Sequence, residues 1–526
     1  MSAPDRPHGP APSSVAAAGL GGGPDSGSRI AAEPDASEPL ADRRLHPMSW
    51  LFVLIQHLKQ YIVPLLVLLF VGRGDRNELW SLIGVVVLVL AALWRYATYR
   101  YGVGASGLVI RSGLFTRSLR VIPFVRIQNV AVQQTILHRL FGVAEVRLES
   151  AGSKEHEAQM RVLKLADALA LETLVRRRGD SPAEAIEERA DSLLRLSPLD
   201  VLRLGLVSNG GIVLVGAGIA AAMQIVPDFN GRVPERVLRR GASWLSGQVG
   251  GFELDAFGYA LLGAGVIALV AVALKTLSVV LALLRYYGFE LSEQGRRLTA
   301  ERGLLGRWRT TVPRRRIQAW TLEEGLLHRL LRRRRLGVDT VGAEGHEEGR
   351  ALKDLAPIAT PAVCDGLVEH LLPRAGWRAL QWRALPDAVW WRLFLPDVAW
   401  ALLATFALYW QIGPWCLLAL LWLPWAAFKA RRRARRIGYA FGEELIAVRE
   451  GWWHRYWRFA ELDKLQCVQI TRSPIDRRCG TATLWLDTAG ASAMAPALRI
   501  RFLPEDEARR IYERLAASLA KRPLRW

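Results

Sequence analysis

Histidines flanked by carboxylates are the first residues in this sequence whose types could do chemistry. His156 stands in "KEHEAQ" and His346 in "EGHEEG", and an imidazole beside carboxylates can ligate a metal ion. At the corresponding place later in the chain stands Met494, and no second histidine lies close by in sequence. A solvated loop therefore explains both histidines better than a metal site, and we predict no bound metal.

A second pattern, "GVGASG" at 102–107, matches the glycine-rich turn that cradles a phosphate. That turn needs a helix after it and an acidic residue about 20 positions on, whereas another strand pattern follows here. His138 and His328 each precede an arginine in a short helical pattern, where local hydrogen bonding explains them better than catalysis. Because no nucleophile–base pair, phosphate loop or acid pair recurs, we predict no catalytic residue, no cofactor and no enzyme activity.

Arginine clusters are the remaining chemical signal in a chain of net charge +21. Such clusters can be solvated faces, can bind nucleic acid, or can meet an anionic lipid surface, where each cation contributes about 1 kcal/mol. Aromatic residues that would stack on bases do not recur within them, so we predict lipid contact and no nucleic acid. The predicted lipid contacts are Arg314, Arg315, Arg316, Arg332, Arg333, Arg334 and Arg335.

Apolar stretches position these groups at a membrane. Hydrophobic residues are 51% of the chain, its 20 tryptophans suit a membrane interface, and 204–226 and 256–284 are long enough to span. Shorter apolar stretches lie at 49–72, 79–94, 393–410 and 412–428. We therefore predict a polytopic α-helical membrane protein with three transmembrane hairpins, 43–95, 200–285 and 388–428. For 49–72 and 393–410, burial in a globular core remains an alternative.

Arginines near the ends of these stretches indicate the orientation of the chain. Arg43 and Arg44 precede the first hairpin, Arg95 follows it, and the third hairpin runs into "KARRRARR" at 429–436. We expect these to lie on the cytoplasmic side of a bacterial inner membrane, with both termini inside and the anionic inner leaflet as a partner. The first 42 residues, rich in Ala, Gly, Pro and Ser, predict a disordered tail and lack a secretory signal.

The three polar segments between and after the hairpins repeat one unit. Arg126, Arg316 and Lys464 each lie 13 residues after a glycine and two residues before a glutamine. Eleven residues beyond each glutamine stands an arginine, Arg139, Arg329 or Arg477. We expect the repeated positions to be structural; they are Gly113, Gln128, Gly152, Gly303, Gln318, Gly342, Gly451, Gln466 and Gly490.

Each unit reads as short alternating strands, one helical turn and a C-terminal helix. With the motifs "P-x-x-R-I-Q" and "LHRLFGVAEVRLESAG" and a hairpin before each copy, the chain resembles the membrane-flanked bacterial pleckstrin-homology-like (PH-like) domains of the YdbS/YdbT type. The resemblance covers nearly all of 43–520. It implies three small PH-like β domains, each closed by a C-terminal helix, at 96–178, 286–372 and 437–522. We call these copies 1, 2 and 3.

A membrane protein that carries three such domains on its cytoplasmic face is most simply a non-enzymatic scaffold, or a sensor of envelope stress or of the lipid surface. Its partners are then lipid and other membrane proteins. A transport or lipid-handling component, with the hairpins as the active part, is the alternative from another class. Transport paths need ionisable residues within the membrane. Lys59, Lys275 and Asp397 are the candidates, and each lies near an end or an uncertain boundary, which favours the scaffold.

Overall fold

The structure is a computed structural model. It describes 98–103, 107–112, 118–124, 127–150, 158–179, 191–225, 256–340, 352–386, 389–490 and 495–521, together with 43–44 and isolated positions elsewhere. The predicted tail at 1–42, most of the hairpin at 43–95 and the loops that hold His156 and His346 lie outside the described residues.

Each copy consists of seven strands, the first four of which belong to one sheet and the last three to another. Copy 1 has β1 Arg43–Arg44, β2 Arg100–Val103, β3 Gly107–Ser112, β4 Ser118–Pro123, β5 Ile127–Gln134, β6 Val143–Ser150 and β7 Ala158–Lys164. Copy 2 has β8 Asp191–Arg195, β9 Glu290–Gln294, β10 Arg297–Arg302, β11 Arg307–Pro313, β12 Ile317–Glu324, β13 Arg334–Thr340 and β14 Asp354–Ala359. Copy 3 has β15 Arg383–Ala384, β16 Gly438–Phe441, β17 Leu445–Glu450, β18 Arg455–Glu461, β19 Leu465–Thr471, β20 Thr481–Thr488 and β21 Arg499–Pro504.

The helices fall into three kinds: short helices after the fifth strand of each copy, closing helices after the seventh, and apolar helices. The short ones are α1 Ile136–Leu140, α6 Leu326–Leu330 and α10 Pro474–Arg478. The closing ones are α2 Leu165–Gly179, α7 Pro361–Leu371 and α11 Glu505–Ala520. The remaining ones are α3 Pro198–Val207, α4 Gly210–Ile225, α5 Ala256–Tyr286, α8 Trp390–Ile412 and α9 Trp422–Ala434.

A hydrophobic core lies between the two sheet portions and the closing helix of each copy. In copy 1, Leu108 and Ile122 of the first portion pack with Val146 of the second and with Leu171 of α2. In copy 3, Leu484, Ile500 and Ile511 of α11 share one core. Apolar residues alternate along the strands, so one face of each sheet is buried. Three PH-like β domains are therefore present, each closed by its C-terminal helix.

The apolar helices interrupt the domains, which differs from the predicted boundaries. β8 precedes α3 to α5 yet pairs antiparallel with β9, and β15 precedes α8 yet pairs with β16. β1 pairs in the same way with β2. The first strand of each domain therefore comes before its hairpin, and the hairpin is an insertion between strands one and two. The cause is geometric, because two antiparallel helices return the chain beside the strand it left.

Two sheets continue across the boundaries between copies. One seven-stranded sheet has the order β7-β6-β5-β11-β10-β9-β8, and the other has the order β14-β13-β12-β18-β17-β16-β15. β5 of copy 1 thus pairs with β11 of copy 2, and β12 of copy 2 pairs with β18 of copy 3. We call these two pairings the first and second seams. The copies are joined through their backbones, which sequence reasoning did not predict.

The apolar helices partly match the predicted hairpins. Two described helices are long and apolar enough to cross a membrane, Ala260–Tyr286 and Trp390–Trp410. The predicted span at 204–226 is bent, because α3 and α4 meet at 51° and count as a third span only if they are taken together. At the bend, Lys275 Nζ bonds the Ser208 oxygen and Asn209 Oδ1, each at 3.1 Å. The lysine thus satisfies the backbone oxygen of Ser208, which an unbroken helix would satisfy itself.

The predicted second arm of the third hairpin is not a single α-helix. After α8, the segment Gly413–Leu421 is a 3-10 helix, and α9 begins only at Trp422. Gly413 closes α8 with φ of 57°, a left-handed value that glycine adopts without steric cost. At the cytoplasmic end predicted for this hairpin, Lys429 Nζ lies 2.8 Å from Asp397 Oδ1.

Glycine and glutamine recur where the fold needs them. Gly303 and Gly451 have φ of 115° and 90° in the turns before β11 and β18, where a Cβ would lie 1.9 Å from a backbone oxygen. Gln128, Gln318 and Gln466 each fall at a register shift between the fifth and sixth strands of their copy. A bulge of this kind inserts one extra residue and bends the strand, so these positions have a shared structural role.

The other repeated positions show where the copies differ. Gln318 Nε2 donates to the Arg316 oxygen at 3.3 Å and is buried, whereas Gln466 is exposed because β19 has no neighbour at that edge among the described strands. These two glutamines therefore do not share one environment. Gly490 has φ of 67° after β20. Gly113, Gly152, Gly342 and Arg126 lie outside the described residues.

Candidate membrane-surface site

The three short helices are among the parts of the domains that contact the apolar helices. Thr135 caps α1 by accepting from the His138 backbone, and its hydroxyl lies 2.6 Å from His138 Nδ1. In α10, Ser473 and Asp476 form the same reciprocal cap. In α6 the N-cap position is Gly325, which has no side chain to form such a cap. The local hydrogen bonding expected for His138 is thus present. In copy 3, Asp476 takes the place of this histidine in the cap.

Each short helix contacts the start of the first helical arm of its own hairpin. In copy 1 the ring of His138 lies 4.2 Å from that of Phe52. In copy 2, Arg333, three residues after the end of α6, pairs with Asp200 of α3 at 3.1 Å. In copy 3, Asp476 pairs with Arg392 of α8. The contact recurs with different chemistry each time, and its two ionic versions have opposite polarity.

Apolar side chains on the short helices are exposed beside these contacts. Leu140 is 75% and Leu330 78% exposed, values that a folded domain rarely leaves to water in clusters. Other exposed apolar residues of the three short helices and their ends are Ile136, Leu137, Phe141, Leu326, Leu327 and Ile475. Since the apolar helices begin next to them, these side chains lie where a bilayer surface would be.

Asp476 and Arg392 form a well-buried ion pair at this junction. Their side chains are each 8% exposed, and Asp476 also accepts from Ser473 and Thr481. Burial alone raises the pKa of the Asp476 carboxyl, but hydrogen bonds from Arg392, Ser473 and Thr481 outweigh it and lower the pKa to about 2. The carboxylate therefore stays charged at any physiological pH and holds α10 against α8.

Most of the arginines predicted to touch lipid are used inside the protein. Arg333 pairs with Asp200, and Arg334 pairs with Asp365 at 3.4 Å while stacking over Trp457. Arg335 pairs with Glu323 and Asp354. Arg333, Arg334 and Arg335 thus meet carboxylates of the fold, and contact with lipid stays a prediction for Arg332.

Asp354 explains why Arg335 is held. Burial raises the pKa of this carboxyl, but the charge of Arg335 and hydrogen bonds from Arg335 and Tyr286 outweigh burial, so the pKa lies below its usual value. Tyr286 Oη donates to Asp354 Oδ2 at 2.7 Å, from the last residue of α5. The end of the membrane helix is thereby tied to the core of copy 2.

The arginines at 314–316 also divide into residues paired within the fold and residues with exposed side chains. Arg314 pairs with Glu293 at 2.9 Å and donates to the Leu371 oxygen, so it joins β9 to the end of α7. Arg316 is half-buried. Arg315 and Arg332 are the two members of the predicted set with exposed side chains. Charge alone did not distinguish these two from the others.

Repeated arginines that sequence reasoning left without a role connect neighbouring copies. Arg139 Nη1 donates to the Leu304 oxygen at 2.7 Å, and Arg329 Nη2 donates to the Trp453 oxygen at 3.4 Å. Both acceptors lie in the turn before the fourth strand of the next copy. The constant spacing after each glutamine was the available signal, but it could not identify an acceptor in another domain. Arg477, the third member, is exposed.

The glycine-rich stretch and the histidines show no phosphate or metal site among the described residues. The "GVGASG" stretch lies between the antiparallel strands β2 and β3 and leads into no helix. Within the described ranges, no group of three or more His, Cys, Asp or Glu side chains could hold a metal ion. The pKa of the His328 imidazole is lowered to about 4, chiefly by burial and less by His454 and Arg335, against an opposing effect of Glu323.

Comparisons with known proteins agree with this architecture. The family model described as bacterial PH domain matches residues 53–179, 245–361 and 392–519. The chain is also 23% identical over 413 residues to the transmembrane protein YdbT of Bacillus subtilis (strain 168), covering 74% of this chain and 80% of that protein. No solved structure matches. The chain therefore belongs to the bacterial PH domain family, as a transmembrane protein with three copies of the domain.

Proposed function

We propose that this protein is a non-enzymatic scaffold at the cytoplasmic face of the bacterial inner membrane. Its hairpins cross the membrane, both termini are cytoplasmic, and its three PH-like domains lie against the anionic inner leaflet. There they bind lipid headgroups and other membrane proteins, and they report the state of the envelope. The observation that carries this proposal is the contact of each short helix with the first arm of its own hairpin.

Two features of the short helices support contact with lipid. Their exposed leucines, led by Leu140 and Leu330, supply apolar area that can enter the headgroup region. Arg332 lies two residues after the end of α6 and is exposed, so its charge is available to anionic lipid. This combination of a shallow apolar contact and a nearby cation suits reversible binding at a membrane surface.

The ionisable residues of the apolar helices support a scaffold over a transporter. Lys275 bonds the bend between α3 and α4, and Lys429 pairs with Asp397. Each of these charges makes a contact within the fold, and Lys275 does so from near the middle of the candidate span Ala260–Tyr286. A transport path would need such groups to be available to a passing ion or substrate. Lys59, the third candidate, lies outside the described residues.

Depth measurements on the full chain test the lipid contact. In a variant without native cysteines, a nitroxide is placed at Leu140→Cys or Leu330→Cys, and the protein is put into nanodiscs that contain phosphatidylglycerol. We expect collisions with oxygen to exceed collisions with a water-soluble nickel complex at both sites, because oxygen concentrates in lipid. Val363→Cys, on the exposed face of α7, is the matched control and should give the opposite ratio.

Two results separate the parts of the proposal. Nitroxides at 140 and 330 that behave like the control at 363 would contradict contact with the bilayer. Replacing phosphatidylglycerol with a zwitterionic lipid should reduce the depth at 330 more than at 140, because the exposed Arg332 is beside α6. Equal depths in both lipids would remove anionic headgroups from the proposal.

A further inference from the structure

Both seams use one register. In the first, Arg309 of β11 lies opposite Val132 of β5, and in the second, Trp457 of β18 lies opposite Leu322 of β12. These two pairs occupy the same places in the repeat. The fourth strand of one copy therefore adds to the fifth strand of the preceding copy by a fixed geometry, whatever the side chains are.

The first sheet of the chain ends in a fourth strand, β4, and the last sheet ends in a fifth strand, β19. These are the two kinds of strand that pair in the seams. Among the described strands, β4 pairs only with β3, and β19 pairs only with β20. Leu119 and Val121 of β4 are 62% and 57% exposed, whereas Phe459, the equivalent of Val121 in copy 3, is fully buried. The difference follows from β12, which pairs with β18 in the second seam, whereas no described strand other than β3 pairs with β4.

We propose that β19 of one molecule pairs with β4 of a second copy of this chain, in the register of the seams. The interaction is heterologous, because each molecule offers a different edge to each neighbour. It therefore closes into a ring or continues as an array of chains held in one membrane. The same kind of pairing, a fourth strand with a fifth strand, already occurs twice within one chain.

The side chains of the two edges fit in that register. Leu119 of one molecule comes opposite Ile470 of the other, and Val121 comes opposite Val468. Val468 and Ile470 are only partly buried in the single chain. Two apolar pairs would thus be covered on one face of the new sheet, and directly opposed apolar residues stabilise antiparallel strands.

An ion pair of the second seam is reproduced by residues at the two ends. Arg458 of β18 is 2% exposed, and it crosses the seam to Thr321, at 2.5 Å, and to Asp339. The residue equivalent to Arg458 in β4 is Arg120, and the residue equivalent to Asp339 in β20 is Asp487. Arg120 and Asp487 are both exposed in the single chain. Pairing β19 with β4 brings these two opposite charges together.

The composition of β19 favours a partner strand over solvent. Its sequence, "LQCVQIT", contains no charge and no proline over seven residues. Edge strands that remain free are usually protected by charges, prolines or bulges against pairing. The one irregularity of β19 lies at its start, before the residues that form the proposed pairs.

Disulfide trapping tests the register in full-length chains. Cys364, Cys416, Cys467 and Cys479 are free thiols and are replaced by alanine. Leu119→Cys is placed on a chain with one tag and Ile470→Cys on a chain with another, and the two are co-expressed. Opposed residues of antiparallel strands lie about 4.5–5.5 Å apart at Cα, within reach of a disulfide. We expect a mixed product that carries both tags.

The matched control is Leu119→Cys with Gln469→Cys, one residue out of register. The thiols then point to opposite faces, and the yield should fall at least about tenfold. A yield equal to that of the in-register pair, or no mixed product from either, overturns the proposal.

Charge reversal tests the chemistry without a crosslink. Arg120→Asp and Asp487→Arg each place like charges at every interface and should lower the assembled fraction at least about tenfold in native mass spectrometry from nanodiscs. Mixing the two variants restores one opposite pair at each interface, so alternating assemblies should form. Val363→Lys, which adds a charge away from both edges, should leave assembly unchanged. A wild-type chain that is monomeric in lipid, or variants that assemble as well as wild type, would refute the proposal.

Discussion

His328 is a half-buried imidazole whose protonation opposes folding. Burial lowers its pKa to about 4, so the unfolded chain binds a proton more tightly than the folded one. Stability is therefore complete above about pH 6.5 and is lost as the pH falls towards 4. The wild type should lose free energy of unfolding of the order of 1 kcal/mol between pH 6.5 and 4.5, a value kept small because partial exposure screens the charge. We expect His328→Gln to remove this loss. Unfolding midpoints of both proteins against pH measure it, and parallel curves would contradict it.

Arg332 has a backbone conformation that is occupied by glycine at the equivalent positions of the other two copies. Its φ is 52°, and the equivalent residues Gly142 and Gly480 have φ of 64° and 62°. A left-handed conformation costs a non-glycine residue about 1 kcal/mol or more. We expect Arg332→Gly to raise the free energy of unfolding by up to about 1 kcal/mol, and Gly480→Ala to lower it by a similar amount. Denaturant melts of the two variants check the opposite signs.

The sequence indicated where cations cluster and which residues repeat, but it did not indicate their partners. Arg334 and Arg315 look alike in a run of arginines, yet the first pairs with Asp365 and the second is exposed. The distinction depends on which face of a strand meets the next element. That information is held by the three-dimensional packing and not by the spacing of charges.

At the scale of elements, the ion pair of Asp476 and Arg392 should control how α10 sits on α8. Asp476→Asn keeps the helix cap but leaves the buried guanidinium without its countercharge, which costs about 3 kcal/mol. Because the pKa of this carboxyl is lowered to about 2, its stabilising effect is present above about pH 4 and is lost as the pH falls through 2. The difference between wild type and variant should shrink over that range.

An exposed ion pair provides the control for this variant. Arg509 lies 3.4 Å from Glu505 on the surface of α11, and its side chain is 68% exposed. Arg509→Gln should cost less than about 0.5 kcal/mol. If Asp476→Asn costs no more than Arg509→Gln in thermal unfolding, the short helix is not held by this pair.

The order of the third to seventh strands of each unit followed from the alternation of apolar residues, and so did the short helices and the closing helices, whereas the first strand before each hairpin was not predicted. The seams did not, because alternation shows which face of a strand is buried and not which strand lies at its edge. The bend between α3 and α4 was also missed. Ser208 and Asn209 precede two glycines there, a signal that the apolar character of 204–226 concealed.

At the scale of the whole molecule, the seams predict that single domains will not fold alone. A fragment covering 286–372 lacks β8 and exposes β11 and β12, which pair with other copies in the full chain. We expect this fragment to aggregate or remain unfolded by circular dichroism and limited proteolysis. The full chain should be protected at the same sites. A folded, monomeric fragment would show that the seams add little to stability.

Reporter fusions test the proposed topology. A reporter that is active only outside the cytoplasm should stay silent after residues 178, 372 and 526, because the arginine-rich ends of the hairpins favour the cytoplasm. The same reporter placed in the connector at 227–255 should be active. Activity at any of the first three sites would contradict the arrangement of both termini and all three domains on one side.

The insertion of the hairpins between strands has a mechanical consequence. β8 ends at Arg195 and α3 begins at Pro198, while α5 ends at Tyr286 and β9 begins at Glu290. These short connectors are themselves joined, since Leu196 N donates to the Phe289 oxygen at 3.0 Å. Helices tilt when a bilayer becomes thinner or thicker. Because the connectors between helices and strands are only two and three residues long, we expect such a tilt to move the β8–β9 pair and, through the shared sheet, copy 1.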